Sequence, residues 1–156
     1  MVGSGARKMR VRLITYFGCI VLLGCSAHKF ERNVIFGGPP GTRVERVRQY
    51  SLGDQFKIFR YGVESVEPPL MGLADPIAER GVSAVPFLLN QLNSNPDDAI
   101  TEDVLLIFER MAFSKSYDVK SDAPLMATLE ARILAVKDDE WRKICSKQFE
   151  RIRHAP

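Results

Sequence analysis

From Ser51 to the end of the chain, apolar residues recur every three or four positions, and short polar breaks separate the periodic stretches. This spacing places the apolar side chains on one face of an α-helix. It predicts about six amphipathic helices, which begin near residues 51, 71, 83, 97, 122 and 138. The sequence therefore predicts an all-α domain, which we expect over residues 44–156.

Turn and capping residues refine this pattern. Ser51 and Asp54 have the spacing of a capping box, and Gly62 is expected to end the same helix. A strand is an open alternative for residues 56–61, which are rich in aromatic and β-branched residues. Gly81 is expected to end the second helix, Pro86 suits the first turn of the third, and Asp122 is expected to cap the fifth.

The segment "IAERGVSAVPFLLNQL", residues 77–92, resembles the junction between two HEAT-type helical repeats. The residues that carry the resemblance are Ala78, Gly81, Ala84, Val85, Pro86, Leu88, Leu89 and Leu92. The likeness covers residues 73–113, and no second clean copy is present. It implies a short, irregular HEAT-like array, an architecture that mostly provides surfaces for binding other proteins.

The first 24 residues have the layout of a secretory signal. Four basic residues lie within residues 7–12, and an uncharged apolar stretch of eleven residues follows at 13–23. As a helix this stretch would span only about 16 Å, too short to cross a hydrocarbon core of about 30 Å. A permanent transmembrane anchor is therefore disfavoured, and either Met1 or Met9 can serve as the start.

The residues Leu22-Leu23-Gly24-Cys25 resemble the lipobox of bacterial lipoproteins. The resemblance implies cleavage between Gly24 and Cys25, and lipidation of Cys25. It also implies an envelope location. Ser26, in the place of an aspartate that retains lipoproteins in the inner membrane, favours the periplasmic face of the outer membrane. An ordinary signal peptide with an incidental cysteine is the alternative.

Residues 25–43 are expected to form a flexible linker behind the lipidated cysteine. The run Gly37-Gly38-Pro39-Pro40-Gly41 can continue neither a helix nor a strand. Eighteen extended residues would reach about 60 Å from the membrane. Whether the apolar residues 34–36 pack on the domain is left open by the sequence.

Charge and motif content narrow the function. The net charge of +3 comes from the leader, and the rest of the chain is close to neutral. Without a basic stripe, nucleic acid is not an expected partner. No metal, haem, serine-hydrolase or phosphate-loop motif is present, so no cofactor and no enzymatic activity are expected.

Aromatic, cysteine and acidic residues of the domain are the candidates for a functional role. The best candidate for a partner-binding patch is the aromatic set Tyr50, Phe56, Phe59 and Tyr61. Cys145, Trp141 and Ile144 are expected in the core, on the apolar face of the last helix. The acidic clusters at 97–98, 102–103 and 138–140 are interpreted as helix caps.

These observations predict a membrane-anchored lipoprotein whose helical domain is a protein-interaction module for another envelope protein. An inhibitor or immunity lipoprotein against a toxin or lytic enzyme is one alternative. An envelope glycan hydrolase that uses two of the carboxylates at Asp97, Asp98, Glu102 and Asp103 is another.

Overall fold

Eight α-helices and no strand occupy the residues that the computed structural model describes, 28–95 and 97–156. The helices are α1 Lys29–Phe36, α2 Arg43–Arg48, α3 Leu52–Glu64, α4 Asp75–Ala78, α5 Val85–Ser94, α6 Asp98–Ser114, α7 Ala123–Leu134 and α8 Asp139–Arg153. Turns of 3₁₀ helix lie at Pro40–Thr42, Met71–Ala74, Gly81–Ala84 and Val119–Ser121. The all-α prediction is confirmed, and residues 56–61 are helical. None of the helices in these ranges is long and apolar enough to cross a membrane.

Helix α6 is the centre of the fold. It packs against α4, α5, α7 and, most extensively, α8. The apolar stripe of Ile100, Val104, Ile107, Phe108 and Met111 is buried. Every residue from 100 to 108 is in fact buried, so this part of α6 is covered on all sides and not on one face alone.

The prediction of a flexible linker is wrong for residues 29–36. They form α1, whose Val34 and Ile35 are buried in the core beside α3. The helical body therefore starts at Lys29, well before the predicted boundary at residue 44. The apolar residues of this short helix find their partners on distant elements, which no local pattern reveals.

Two arginines of α2 explain why α1 stays on the body. Arg46 donates hydrogen bonds to the carbonyl oxygens of Val34 and Ile35 at 3.0 Å each, and Arg43 donates to Ile35 at 3.1 Å. These are carbonyls of the last helical turn, which have no partner within the helix. A Cβ atom at Gly38 would lie 2.7 Å from the Arg46 guanidinium, so a glycine at this position leaves space for the arginine side chain.

The two glycines predicted to end helices differ in role. Gly81 has φ +56°, and a side chain there would collide with the carbonyl oxygen of Ser116, so a glycine is required. Gly62 lies inside α3, which continues to Glu64. A Cβ atom at Gly62 would lie 2.6 Å from Leu73, so this glycine permits close packing and the prediction that it ends the helix is wrong.

The structure confirms the predicted helix caps at Ser51 and Asp122 and the predicted first-turn position of Pro86. Ser51 accepts a hydrogen bond from the amide of Asp54 at 3.2 Å, and Asp122 accepts one from Leu125 at 3.0 Å. Pro86 lies in the first turn of α5. The HEAT-like order of the helices stays a prediction.

Candidate functional site

The predicted lipidation site lies outside the described residues. Gly24 and Cys25, together with the rest of the lipobox, precede His28, where the described structure begins. Their assignment therefore stays a prediction from the sequence.

The prediction of an exposed aromatic patch is wrong for the set Tyr50, Phe56, Phe59 and Tyr61. Phe56 and Phe59 are buried, with ring centroids 6.3 Å apart, and Phe56 also meets the ring of Phe87 edge-on at 5.6 Å. Both tyrosines are half-buried and pack against the core. Helix α3 contacts α1, the turn at Met71–Ala74 and α4, so it is enclosed by elements before and after it in the chain.

Acids at two of the three clusters do cap helices, as predicted. Asp97 accepts a hydrogen bond from the amide of Ala99 at 3.1 Å, and Asp138 accepts from Glu140 at 2.9 Å and from Trp141 at 3.0 Å. Asp98 accepts from the amides of Lys137 and Asp138 at 3.0 and 3.1 Å. The first turn of α6 is thereby joined to the connection between α7 and α8.

The third cluster, Glu102 and Asp103, is not a cap but a pair of buried acids on α6. Asp103 is only 2% exposed, and its carboxylate accepts a hydrogen bond from Arg60 of α3 at 3.1 Å. Burial raises the pKa of Asp103 to about 7, with a further rise from the neighbouring Glu102 charge, although the Arg60 guanidinium opposes both. Desolvation therefore outweighs the ion pair at this carboxyl.

Glu102 points to another helix. Its carboxylate accepts a hydrogen bond from the Gln148 amide of α8 at 2.7 Å, and burial raises its pKa. The amide oxygen of Gln148 is buried without a hydrogen-bond partner. Turning this amide over would only exchange its oxygen and nitrogen, so one of the two atoms lacks a partner in either orientation.

Cys145 lies on the same side of α8 and is fully buried, as predicted. Burial raises the pKa of its thiol to about 12, so the reactive thiolate form is suppressed. Trp141 and Ile144, which were expected beside it in the core, are 36% and 44% exposed, and that prediction is wrong. The buried stripe of α8 is instead Cys145, Gln148, Phe149 and Ile152, and the first turn of the helix is less covered.

The four acids considered for a glycan hydrolase each have a structural partner. Asp97 and Asp98 bind backbone amides, whereas Glu102 and Asp103 bind Gln148 and Arg60 inside the protein. The buried pair holds α6 to α3 and α8 at once. In the described part of the chain, no three His, Cys, Asp or Glu residues are grouped so as to hold a metal ion.

A shallow groove on the surface was not predicted. It has a volume of about 470 Å³ and is lined by Met71, Leu106, Glu109, Arg110, Phe113 and Arg151. Phe113, in the last turn of α6, is 50% exposed. Glu109 and Arg151 form a two-pronged ion pair at 2.6 and 3.0 Å along the groove.

No local signal in the sequence marks Phe113 as a surface residue. Phe113 falls off the apolar stripe of α6, but so do Leu105 and Leu106, which are buried. The groove therefore depends on how the other elements pack against α6.

Comparison of the chain with models of protein families, with curated proteins and with solved structures found no match.

Proposed function

We propose that this protein is a bacterial lipoprotein, anchored through lipid on Cys25 at the periplasmic face of the outer membrane, whose helical domain binds another envelope protein. The observation that carries the proposal is the lipobox Leu22-Leu23-Gly24-Cys25 behind a basic and then apolar leader. An all-α domain follows it within a few residues. Lipid on one cysteine would keep this domain at a membrane surface.

The groove beside Phe113 supports a binding role. Protein interfaces are enriched in aromatic residues, methionine and arginine, and this groove combines Phe113 and Met71 with Arg110 and Arg151. Phe113 is an exposed aromatic side chain on the most deeply buried helix, so its backbone position is fixed by the core. A rigidly held aromatic residue is suited to anchor a partner.

The two basic groups in the groove are already paired within the domain. Arg151 binds Glu109, and Arg110 lies 3.7 Å from Asp75. A partner therefore meets an apolar centre rimmed by neutralised charges, and we propose that the Phe113 and Met71 side chains provide most of the affinity.

Site-specific crosslinking in cells tests this proposal. A photoreactive residue replaces Phe113 in the full-length chain, and a matched chain carries it at Leu134, which is 74% exposed at the end of α7. We expect one envelope protein to be captured from position 113 and not from position 134. Both chains are also made with Cys25→Ser, which is expected to abolish the capture.

Capture of the same proteins from positions 113 and 134, or capture that survives Cys25→Ser undiminished, would contradict the proposal. The first result would show contacts without a defined surface. The second would show binding that does not depend on an anchor.

A further inference from the structure

The distance between the proposed lipid and the domain is short. Only Ser26, Ala27 and His28 separate Cys25 from the first residue of α1. Fully extended, this piece of chain spans at most about 14 Å. The 18-residue tether expected from the sequence would have allowed about 60 Å. Since α1 is part of the body, lipid on Cys25 would hold the body close to the bilayer.

The helix nearest to Cys25 presents an unusual outer face. Its inner face is Glu31, Val34 and Ile35, which are buried. The outer face consists of Lys29, Arg32, Asn33 and Phe36, with Phe30 at its edge, and all five are exposed. The two phenylalanine rings are 43% and 51% exposed, respectively, although large apolar residues elsewhere are mostly in the core.

Neighbouring residues hold these rings in place. Phe30 meets the ring of Tyr50 edge-on at 5.4 Å, and the Arg43 guanidinium lies 5.6 Å from the centre of the Phe36 ring. Arg43 also donates to the carbonyl of Ile35, so its charge is fixed next to the outer face. The face thus combines ordered aromatic rings with basic groups.

The net charge also differs between the α1 end and the rest of the described chain. Residues 28–43 contain three basic residues and one acidic residue, a net charge of +2. Residues 44–156 contain 15 basic and 18 acidic residues, a net charge of −3. An anionic surface would therefore attract the α1 end and repel most of the remaining surface.

We propose that the outer face of α1 lies in the headgroup layer of the phospholipid bilayer that holds the lipid of Cys25. Phe30 and Phe36 reach toward the acyl chains, while Lys29, Arg32 and Arg43 bind lipid phosphates. The headgroup layer is about 5–8 Å thick on each side, within the reach of the three-residue connection. This inference rests on the proposed lipidation of Cys25.

The consequence is a fixed orientation. Arg46 and Arg43 hold the last turn of α1 to α2, and Ile35 lies in the core. A membrane contact through α1 therefore orients the whole domain and does not merely tether it.

Quenching by lipid-borne nitroxides tests the contact. The full chain is purified in its acylated form with Asn33→Cys, labelled with a fluorophore, and reconstituted into phosphatidylcholine vesicles that contain a quarter phosphatidylglycerol and nitroxide-labelled lipid. A matched chain carries the label at Ala127→Cys, an exposed position on α7. Cys145 is fully buried and does not compete for the label. Mass spectrometry of the same samples verifies acylation of Cys25.

We expect quenching several-fold stronger at position 33 than at position 127. Lys29→Glu with Arg32→Glu should lower it to the level of position 127, whereas Lys143→Glu with Lys147→Glu on α8 should leave it unchanged. Equally weak quenching at both positions in acylated protein would overturn the inference and leave the lipoprotein proposal intact. An unmodified Cys25 would instead overturn the proposed function itself.

Discussion

Helices α1 and α6 use polar and apolar residues in opposite ways. In α6, Glu102 and Asp103 are buried among apolar side chains, and partners from α3 and α8 reach in to bind them. In α1, Phe30 and Phe36 are exposed among basic residues. A buried acid is satisfied by the chain itself, whereas an exposed aromatic pair is a feature for a surface outside the chain. The buried contacts of α6 stabilise the fold, whereas the exposed rings of α1 are available for contact with another surface.

The largest effect should come from emptying the centre of α6. Phe108→Ala removes a fully buried ring, and we expect a loss of about 3–5 kcal/mol in the free energy of unfolding, measured with urea. Phe113→Ala changes the same residue type on the same helix at an exposed position, and should stay within about 0.5 kcal/mol. Similar losses for the two variants would mean that Phe113 is a core residue and not part of a binding groove.

The buried acids predict an unusual dependence of stability on pH. The pKa of Asp103, raised to about 7 by burial, exceeds the ordinary aspartate value of about 3.9. Between these values the folded state holds a proton that the unfolded state releases, so stability should fall as the pH rises from about 4 to 7. Asp103→Asn should flatten this slope by up to roughly 1 kcal/mol per pH unit.

Unfolding curves at several pH values measure this slope. Asp54→Asn is the matched control, because the hydrogen bond from Ser51 lowers the pKa of Asp54 and places its titration below the window. A slope that Asp103→Asn leaves as steep as in the unmodified protein would contradict the assignment.

Two glycines of α3 give a smaller, paired effect. Gly62→Ala would place a methyl group 2.6 Å from Leu73 and 3.3 Å from Leu70, and we expect a loss of about 1–3 kcal/mol. A Cβ atom at Gly53 would have no other atom within 4 Å, so Gly53→Ala should raise the free energy of unfolding by up to about 1 kcal/mol. Thermal unfolding of both variants checks the pair; a gain at both positions would show that α3 does not pack closely at Gly62.

The smallest effect concerns the attachment of α1. Arg46→Ala removes the hydrogen bonds to Val34 and Ile35, and we expect a loss of about 1 kcal/mol because these carbonyls are only partly buried. Hydrogen exchange of the α1 amides should accelerate more than exchange in α6. Arg32→Ala, an exposed residue of α1 itself, should change neither quantity. Unchanged exchange in α1 after Arg46→Ala would refute the role given to this arginine.

The sequence predicted what is local. The three-to-four residue periodicity located the major helices from α3 onward, and the capping aspartates at 97, 122 and 138 marked their starts. These features depend on residues within one or two turns of one another. They can therefore be read without knowing what packs against them.

What the sequence did not predict depends on distant residues. Helix α1 is eight residues long before a run of glycine and proline, and its partners Arg43 and Arg46 come from another helix. Glu102 and Asp103 were interpreted as helix caps because their partners Gln148 and Arg60 lie 46 and 43 residues away. Gly62 looked like a helix end because nothing local announces the approach of Leu73.

The predictions of functional sites also succeed for local patterns and fail for contacts between distant residues. The lipobox is a contiguous pattern, so the sequence alone proposes the anchor at Cys25. The outer face of α1 and the groove at Phe113 exist only once the core has formed. The predicted patch failed for the same reason, since Phe56 and Phe59 are buried in the core and Phe56 packs on Phe87 of another helix.

The most direct test of the account is mass spectrometry of the mature amino terminus, from full-length protein recovered in the membrane fraction of cells. The account predicts that the mature chain begins at Cys25 and carries lipid there, and that Cys19→Ser leaves both features unchanged. Cys25→Ser should remove the lipid and release the protein from the membrane fraction. A mature chain that begins elsewhere, or an unmodified Cys25 thiol on membrane-bound protein, would contradict the account.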